Sequence, residues 1–168
     1  MYPDIRGETP ADARAIRALT EAAFRAAPHT SHTEQFIVDA LRRAGVLSLS
    51  LVADEGGALA GHVAVSPVTV SDGSGGWYGL GPISVLPARQ GKGIGSLLMD
   101  AALAELRRMG AAGCVVLGDP AYYSRFGFEA SPRLALPGVP AEYFQSVKFG
   151  ASCAQGDVCY HAAFDARA

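Results

Sequence analysis

One stretch of this 168-residue chain constrains it more than any other: residues 80–96, Leu-Gly-Pro-Ile-Ser-Val-Leu-Pro-Ala-Arg-Gln-Gly-Lys-Gly-Ile-Gly-Ser. An apolar run over 77–86 reads as a central strand, and Pro87 ends it. Gly91, Gly93 and Gly95 then alternate in a turn that leads straight into an amphipathic helix over 95–109. Its inward stripe is Leu97, Leu98, Ala101, Ala102, Leu106 and Met109, and Gly110 stops it. Glycine is a poor helix former, so three of them at a helix opening serve another purpose. Successive N–H groups in such a turn point into one concavity, and the helix start adds unpaired donors and partial positive charge. Without Cβ atoms the backbone lets a ligand approach closely. Arg89 and Lys92 add positive charge. The pattern is that of a diphosphate cradle.

Two nucleotide motifs fail on spacing. A P-loop needs Ser or Thr after its lysine, whereas Lys92 is followed by Gly93; the dinucleotide fingerprint needs GxGxxG, whereas the chain has GxGxG. No GxSxG elbow is present for a serine hydrolase. The formal net charge of −2, with 49 % apolar and 18 % charged residues, gives no reason to expect nucleic acid or an acidic membrane as a partner. The first ten residues lack the apolar run of a signal peptide, and no stretch has the length of a membrane span. Cys114, Cys153 and Cys159 form no CxxC pair, so buried free thiols in a reducing cytosol are expected. His29, His32, His62 and His161 show no metal-binding spacing. A cytoplasmic, metal-free protein is expected.

The remaining elements read as an alternation of helices and strands. A short strand over 5–8 leads to Thr9 as N-cap, Pro10 and Asp12, then a helix with Ile16, Leu19, Ala23 and Phe24 on one stripe. A break at 28–31 precedes a second helix starting at His32 or Thr33, with Phe36, Ile37, Ala40 and Leu41 inward and Gly45 at its end. Leu47, Leu49 and Leu51 then alternate with serines as in a half-buried strand, and Glu55-Gly56-Gly57 is a hairpin turn. The returning strand carries His62, Ala64 and Ser66 on one face and runs on to Val70; 71–76 is a glycine-rich turn. Residues 112–117 read as a buried strand, and Asp119-Pro120 caps a short helix ending at Gly127. One or two helical turns are expected over 140–146 and a last strand over 158–164. The fold class is α/β: a mixed sheet with helices on both faces, as a single domain over 1–168.

Gln90-Gly91-Lys92-Gly93-Ile94-Gly95 resembles the (Gln/Arg)-x-x-Gly-x-(Gly/Ala) signature of the GNAT family of N-acetyltransferases. Ile83-Ser84-Val85 stands on the strand just before, and Tyr123-Ser-Arg-Phe-Gly127-Phe128 resembles the family's Tyr-x-x-x-Gly-Phe segment. The order and spacing of all three match, and the fuller run over 117–128 resembles a bacterial subgroup of predicted acetyltransferases. The resemblance implies the GNAT fold, with a mostly antiparallel sheet, and acetyl-CoA as co-substrate without a metal. It also implies transfer of the acetyl group directly to a primary amine, on a small molecule or peptide. A homodimer through C-terminal strands is common in the family.

The same resemblance implies roles. Backbone amides around Gly91, Lys92, Gly93, Ile94 and Gly95, with Gln90 and Ser96 at the same turn, hold the CoA pyrophosphate. Ile83, Ser84 and Val85 pair with the pantetheine arm, and the Ser84 or Val85 amide serves as an oxyanion donor worth ~3 kcal/mol. Tyr123 stands where the family keeps its general acid, with Tyr122 as the adjacent rival. Glu34 is the candidate base, and water is the other possible carrier of the proton. His62 reads either as facing the acceptor cleft or as a satisfied sheet residue. Asp119 is structural, as a cap. Tyr143, Phe144 and Phe149 read as core or as lining an acceptor pocket. Polyamine, aminoglycoside, amino acid and protein N-terminus all stay open as acceptors. The reading from another class is a CoA or acyl-CoA sensor module that binds without transferring.

Overall fold

The computed structural model describes residues 2–28 and 30–168; His29, within the break expected at 28–31, lies outside the described residues. The strands are β1 (Asp4–Gly7), β2 (Leu49–Glu55), β3 (Ala58–Val70), β4 (Trp77–Val85), β5 (Gly113–Leu117), β6 (Leu134–Ala135), β7 (Phe144–Lys148) and β8 (Gly156–Tyr160). The helices are α1 (Ala13–Phe24), α2 (Glu34–Arg43), α3 (Ile94–Arg108) and α4 (Pro120–Tyr123). Hydrogen bonding links the strands in the order β1-β2-β3-β4-β5-β7, with β8 on β3 and β6 on β8. The β1–β2, β2–β3, β3–β8 and β5–β7 ladders are antiparallel, whereas β4–β5 and β6–β8 are parallel. This is the open, mostly antiparallel mixed sheet expected. The chain divides into two compact units, Met1–Val65 with Gly81–Ala102 and Ala162–Ala168, and Ser66–Leu80 with Leu103–His161.

In the first unit both faces of the sheet are covered. Ile16 of α1 and Val38 of α2 pack on Val52 and Ala64. Gly61 and Ala64 are three apart on β3, so they face opposite sides. A Cβ built on Gly61 would lie 2.9 Å from Leu98 Cδ1, 3.1 Å from Ile94 Cγ2 and 3.1 Å from the Ser84 carbonyl. The first turn of α3 therefore rests directly on β3 because position 61 has no side chain. The α3 stripe is Ile94, Leu98, Met99, Ala102, Leu103 and Leu106, all buried. That is rotated from the expected set: Met109 lies beyond the last helical turn, where Gly110 (φ 78°) reverses the chain, and is 41 % exposed. In α1 the buried residues are Ile16, Leu19 and Thr20, whose hydroxyl caps the Ile16 carbonyl at 2.7 Å, while Ala23 and Phe24 are half-buried. In α2 they are Gln35, Ile37, Val38 and Leu41; Phe36 is half-buried, with the Arg17 guanidinium 5.1 Å above its ring. The β2–β3 hairpin turns at Gly56 and Gly57, both at positive φ as the Glu-Gly-Gly sequence expects.

The second unit is built on β5, which pairs with β4 at Trp77, Tyr78 and Gly79 and with all five residues of β7. Its core joins Val68, Val70, Trp77, Val115, Leu134, Phe144 and Val158. Two expectations are corrected in this part of the chain. Within 140–146 only Ala141–Tyr143 turn helically, because Phe144 onward is drawn into the β5 ladder. The last strand ends at Tyr160, and the first unit's closing segment, Ala162–Asp165, is a helical turn. Cys114 is buried, but Cys153 and Cys159 are exposed, so only one of the three thiols is a core group.

Gly61→Val forces a branched side chain against Leu98 and the Ser84 carbonyl and is expected to destabilise the fold by about 1–3 kcal/mol. Denaturant titration measures this. An unchanged midpoint would show that the α3 start is not seated on β3 as described.

Candidate active site

The junction from β4 to α3 lies in the first unit. The Leu86 N–H donates to the Ala60 carbonyl at 2.9 Å, which anchors the strand end, and Pro87–Arg89 form one 3-10 turn. The Gln90 side-chain amide returns to the Val85 carbonyl at 3.1 Å. Gly91 and Gly93 take φ of 75° and 86°, values that side chains with a Cβ rarely adopt, and nothing lies within 4 Å of a Cβ at either. These glycines are needed for backbone shape, and the space beside them is open. Among the described residues, none of the N–H groups of Gly91, Lys92, Gly93, Ile94 and Gly95 has an acceptor. The first intrahelical bond of this region is Leu97 N–H to the Gly93 carbonyl, at 3.1 Å. Five N–H groups without acceptors thus stand at the positive end of a 15-residue helix, with open space beside Gly91 and Gly93.

The side chains around the junction divide. Arg89 is held bidentate by Glu55 of the hairpin, so its charge is neutralised there and does not serve the turn. Lys92 is exposed, with no carboxylate within ion-pair distance among the described residues. Ile83 and Val85 are half-buried, whereas Ser84 between them is 2 % exposed and its hydroxyl has no hydrogen-bond partner among the described residues.

Glu34 opens α2. One carboxylate oxygen, Oε2, accepts the Thr30 hydroxyl at 2.6 Å, and the other, Oε1, is buried with no partner among the described residues. A desolvated carboxylate oxygen with nothing bound to it is a receptor for a cation or an N–H donor.

Sequence spacing gave no hint of a chain of polar side chains deeper in this unit. Glu8 accepts from Arg42 Nε at 2.9 Å and Nη2 at 2.8 Å, and also from the Ser50 hydroxyl. Burial opposes the Glu8 charge, but the bonds from Arg42 and Ser50 outweigh it and hold the carboxyl below its ordinary value. Since an ionised carboxylate only accepts, Ser50 gives its one proton to Glu8 and must receive at Oγ from His62 Nε2, 2.8 Å away. His62 is therefore the Nε2–H tautomer, with a bare lone pair on a buried, unpartnered Nδ1. The ring is fully buried, and burial pushes its pKa down to about 4. His62 is thus bonded through one nitrogen only, part-way between the two readings its position allows.

In the second unit Asp119 caps α4 by accepting the Ala121 N–H at 2.9 Å, and Gly127, at φ 91°, ends the following turn. Tyr122 and Tyr123 meet edge-on, with ring centroids 5.0 Å apart, and have different further neighbours. Tyr122 packs on Phe126 and under Arg125, whereas Tyr123 meets Phe128 edge-on at 6.0 Å and lies against Gly118, where a Cβ would come within 2.8 Å of its ring. Burial, with the nearby Tyr122, Asp119 and Cys114 groups, pushes the Tyr123 phenol up to about 12. Tyr160 is a further phenol of this unit that the sequence did not single out; its ring lies over Gly79, and burial pushes its pKa up as well. Only the absence of a Cβ at Gly79 admits that ring, a signal visible in the structure alone. Cys114 is fully buried and its thiol is pushed far up by burial, which makes it a poor nucleophile. Phe144 is core, Tyr143 is 45 % exposed and Phe149 lies under Arg107.

The model of the Acetyltransferase (GNAT) family matches residues 13–128. The chain belongs to that family. It is 43 % identical over 144 residues to the Escherichia coli K12 N-acetyltransferase YhbS, covering 83 % of each chain, and 33 % identical over 134 residues to YjhQ of the same organism, covering 79 % of this chain and 71 % of that one. Among solved structures, a GNAT acetyltransferase from Brucella melitensis in complex with acetyl-CoA is 55 % identical, with TM-score 0.86 and 96 % and 97 % of the two chains covered. Escherichia coli YhbS in complex with CoA is 37 % identical, with TM-score 0.87 and coverage of 98 % and 93 %. The chain is accordingly an acyltransferase of the N-acetyltransferase kind. Among the described residues no group of His, Cys, Asp or Glu side chains gathers as metal ligands, and no helix is long and apolar enough to cross a membrane.

A buried neutral His62 carries a pH signature. Its folded pKa near 4 lies below the ordinary 6.5, so the stabilisation is complete above about pH 6.5 and is lost as pH falls through about 4, amounting to about 3 kcal/mol. Urea midpoints followed from about pH 7 to about pH 4 should therefore fall further in the wild type than in His62→Gln. Parallel curves for the two proteins would contradict the neutral, single-partner histidine.

Proposed function

We propose that this chain transfers an acetyl group from acetyl-CoA directly to a primary amine, with residues 1–168 working as one N-acetyltransferase domain. The observation that carries the reading is the row of N–H groups at 91–95 with no acceptor, opening a long helix beside unfilled space. The two relatives crystallised with acetyl-CoA and with CoA support it. The reading takes the cytoplasm as compartment and a homodimer as assembly.

The residues fit the co-substrate. The amides of Gly91, Lys92, Gly93, Ile94 and Gly95, with Gln90 and Ser96 at the edges of the turn, would hold the pyrophosphate. Ile83, Ser84 and Val85 would pair with the pantetheine arm. Acetyl-CoA supplies an activated acetyl thioester, and the proton transfers are the work of side chains. Glu34 Oε1, desolvated and unpartnered, receives the amine and takes its proton. The neutral amine attacks the carbonyl carbon, a C–N bond forms and the C–S bond breaks. Tyr123 gives its phenolic proton to the departing sulfur, and the second proton that the nitrogen sheds as the amide forms restores the phenol. With its pKa near 12, that phenol keeps its proton throughout the working range and is a donor, not a base.

Two consequences are measurable by thiol release with acetyl-CoA and a panel of amines. Tyr123→Phe is expected to cut turnover by about 10²-fold or more while CoA affinity stays the same. In the wild type, turnover should show no loss between about pH 8 and about pH 10, because the acid is still protonated there. Full turnover in Tyr123→Phe would remove the phenol from the mechanism, and binding without release across a broad panel would replace transfer by sensing.

A further inference from the structure

The second unit contains a cavity of about 390 Å³ that none of the residues assigned above to acetyl transfer lines. Its size falls within the range of small-molecule sites, roughly 300–1,000 Å³. Three charged side chains line it, Glu129, Arg133 and Lys148, and none of them is within ion-pair distance of an opposite charge among the described residues. Arg133 Nη2 donates to the Cys153 carbonyl at 2.9 Å and Lys148 Nζ to the Ser152 carbonyl at 3.5 Å, so neither charge is neutralised. Glu129 is fixed by its backbone, which exchanges bonds of 3.1 and 2.9 Å with Ser146 of β7, and Lys148 stands two residues along that strand on the face of Ser146. Opposite charges thus line one cavity without meeting.

Trp77 lines the same cavity. It is 2 % exposed, and its indole N–H is buried without an acceptor among the described residues. The far edge of the ring lies over Gly113, where a Cβ would come within 2.5 Å of both Cη2 and Cζ3, so the ring has no room to turn away.

We propose that this cavity is a binding site for a free α-amino acid. The carboxylate is held by Arg133 and Lys148, and the ammonium by Glu129. Two cations and one anion leave a net positive charge that suits one carboxylate, while Glu129 disfavours a second. The site requires neither the phosphate cradle nor Tyr123.

Trp77 is the single tryptophan of the chain and therefore reports directly on the site. The whole protein, without acetyl-CoA, is titrated with each of the proteinogenic L-amino acids and with the carboxamide of any that binds, following Trp77 emission and, in parallel, calorimetric heat. The expected result is saturable binding of at least one amino acid below roughly 1 mM, a loss of at least about tenfold in affinity in Arg133→Ala and in Lys148→Ala, and no binding of the carboxamide. Both substituted residues are exposed, and circular dichroism checks that the variants remain folded. Neither signal with any amino acid, or binding that survives both substitutions, overturns the proposal.

Discussion

The main chain at the end of β4 turns into α3 without satisfying its own donors, and the rest of the first unit is organised to permit that. Five consecutive N–H groups are left without protein acceptors, and the α3 start that carries them is anchored elsewhere. The anchors are the Leu86 to Ala60 bond, the Gln90 side chain on Val85 and the close seat of Ile94 and Leu98 on Gly61. Arg89, which looks like a phosphate ligand by position, instead ties this corner to the β2–β3 hairpin through Glu55. In the proposed function, binding falls to the backbone of the turn.

Behind that corner, polarity is handled in two ways. The Arg42–Glu8–Ser50–His62 chain is satisfied at every atom but one, and its direction fixes the histidine tautomer without any need to observe hydrogens. Such a chain is rigid and expensive to break. By contrast, Glu34 Oε1 and the Ser84 hydroxyl are buried without partners among the described residues. Groups of this second kind are where a bound amine or co-substrate has something to gain, so structural and functional polarity are separated by whether their hydrogen bonds close.

Much of the local grammar could be read from the chain. The Glu-Gly-Gly hairpin, the Asp119-Pro120 cap and the strand–glycine turn–helix unit are each dictated by a few neighbouring residues, and each is found. What failed depended on distant partners. Phe144 onward joins β5 rather than a helix because the ladder partner lies some thirty residues upstream, at 113–117. Met109 belongs to the α3 stripe by period, but the helix ends one residue too early to bury it. Likewise, Glu8, Ser50 and His62 are far apart in sequence and meet only through β-sheet register, and the seat of Tyr160 on Gly79 is made by a missing Cβ. Of the site, the cradle was visible because it is one continuous segment; the open oxygen of Glu34 was not, because its burial is a property of the folded loop and helix around it.

In the proposed function, main-chain donors at 91–95, shaped by glycines at positive φ, grip the pyrophosphate of CoA. Calorimetric titration of CoA into the wild type and into Gly93→Val tests it most directly, since a β-branched residue is strained at a φ of 86° although nothing crowds its Cβ. Saturable heat is expected for the wild type, and an affinity at least about tenfold weaker, about 1.4 kcal/mol, for the variant. No heat with the wild-type protein at millimolar CoA, or equal affinities for the two proteins, would contradict it.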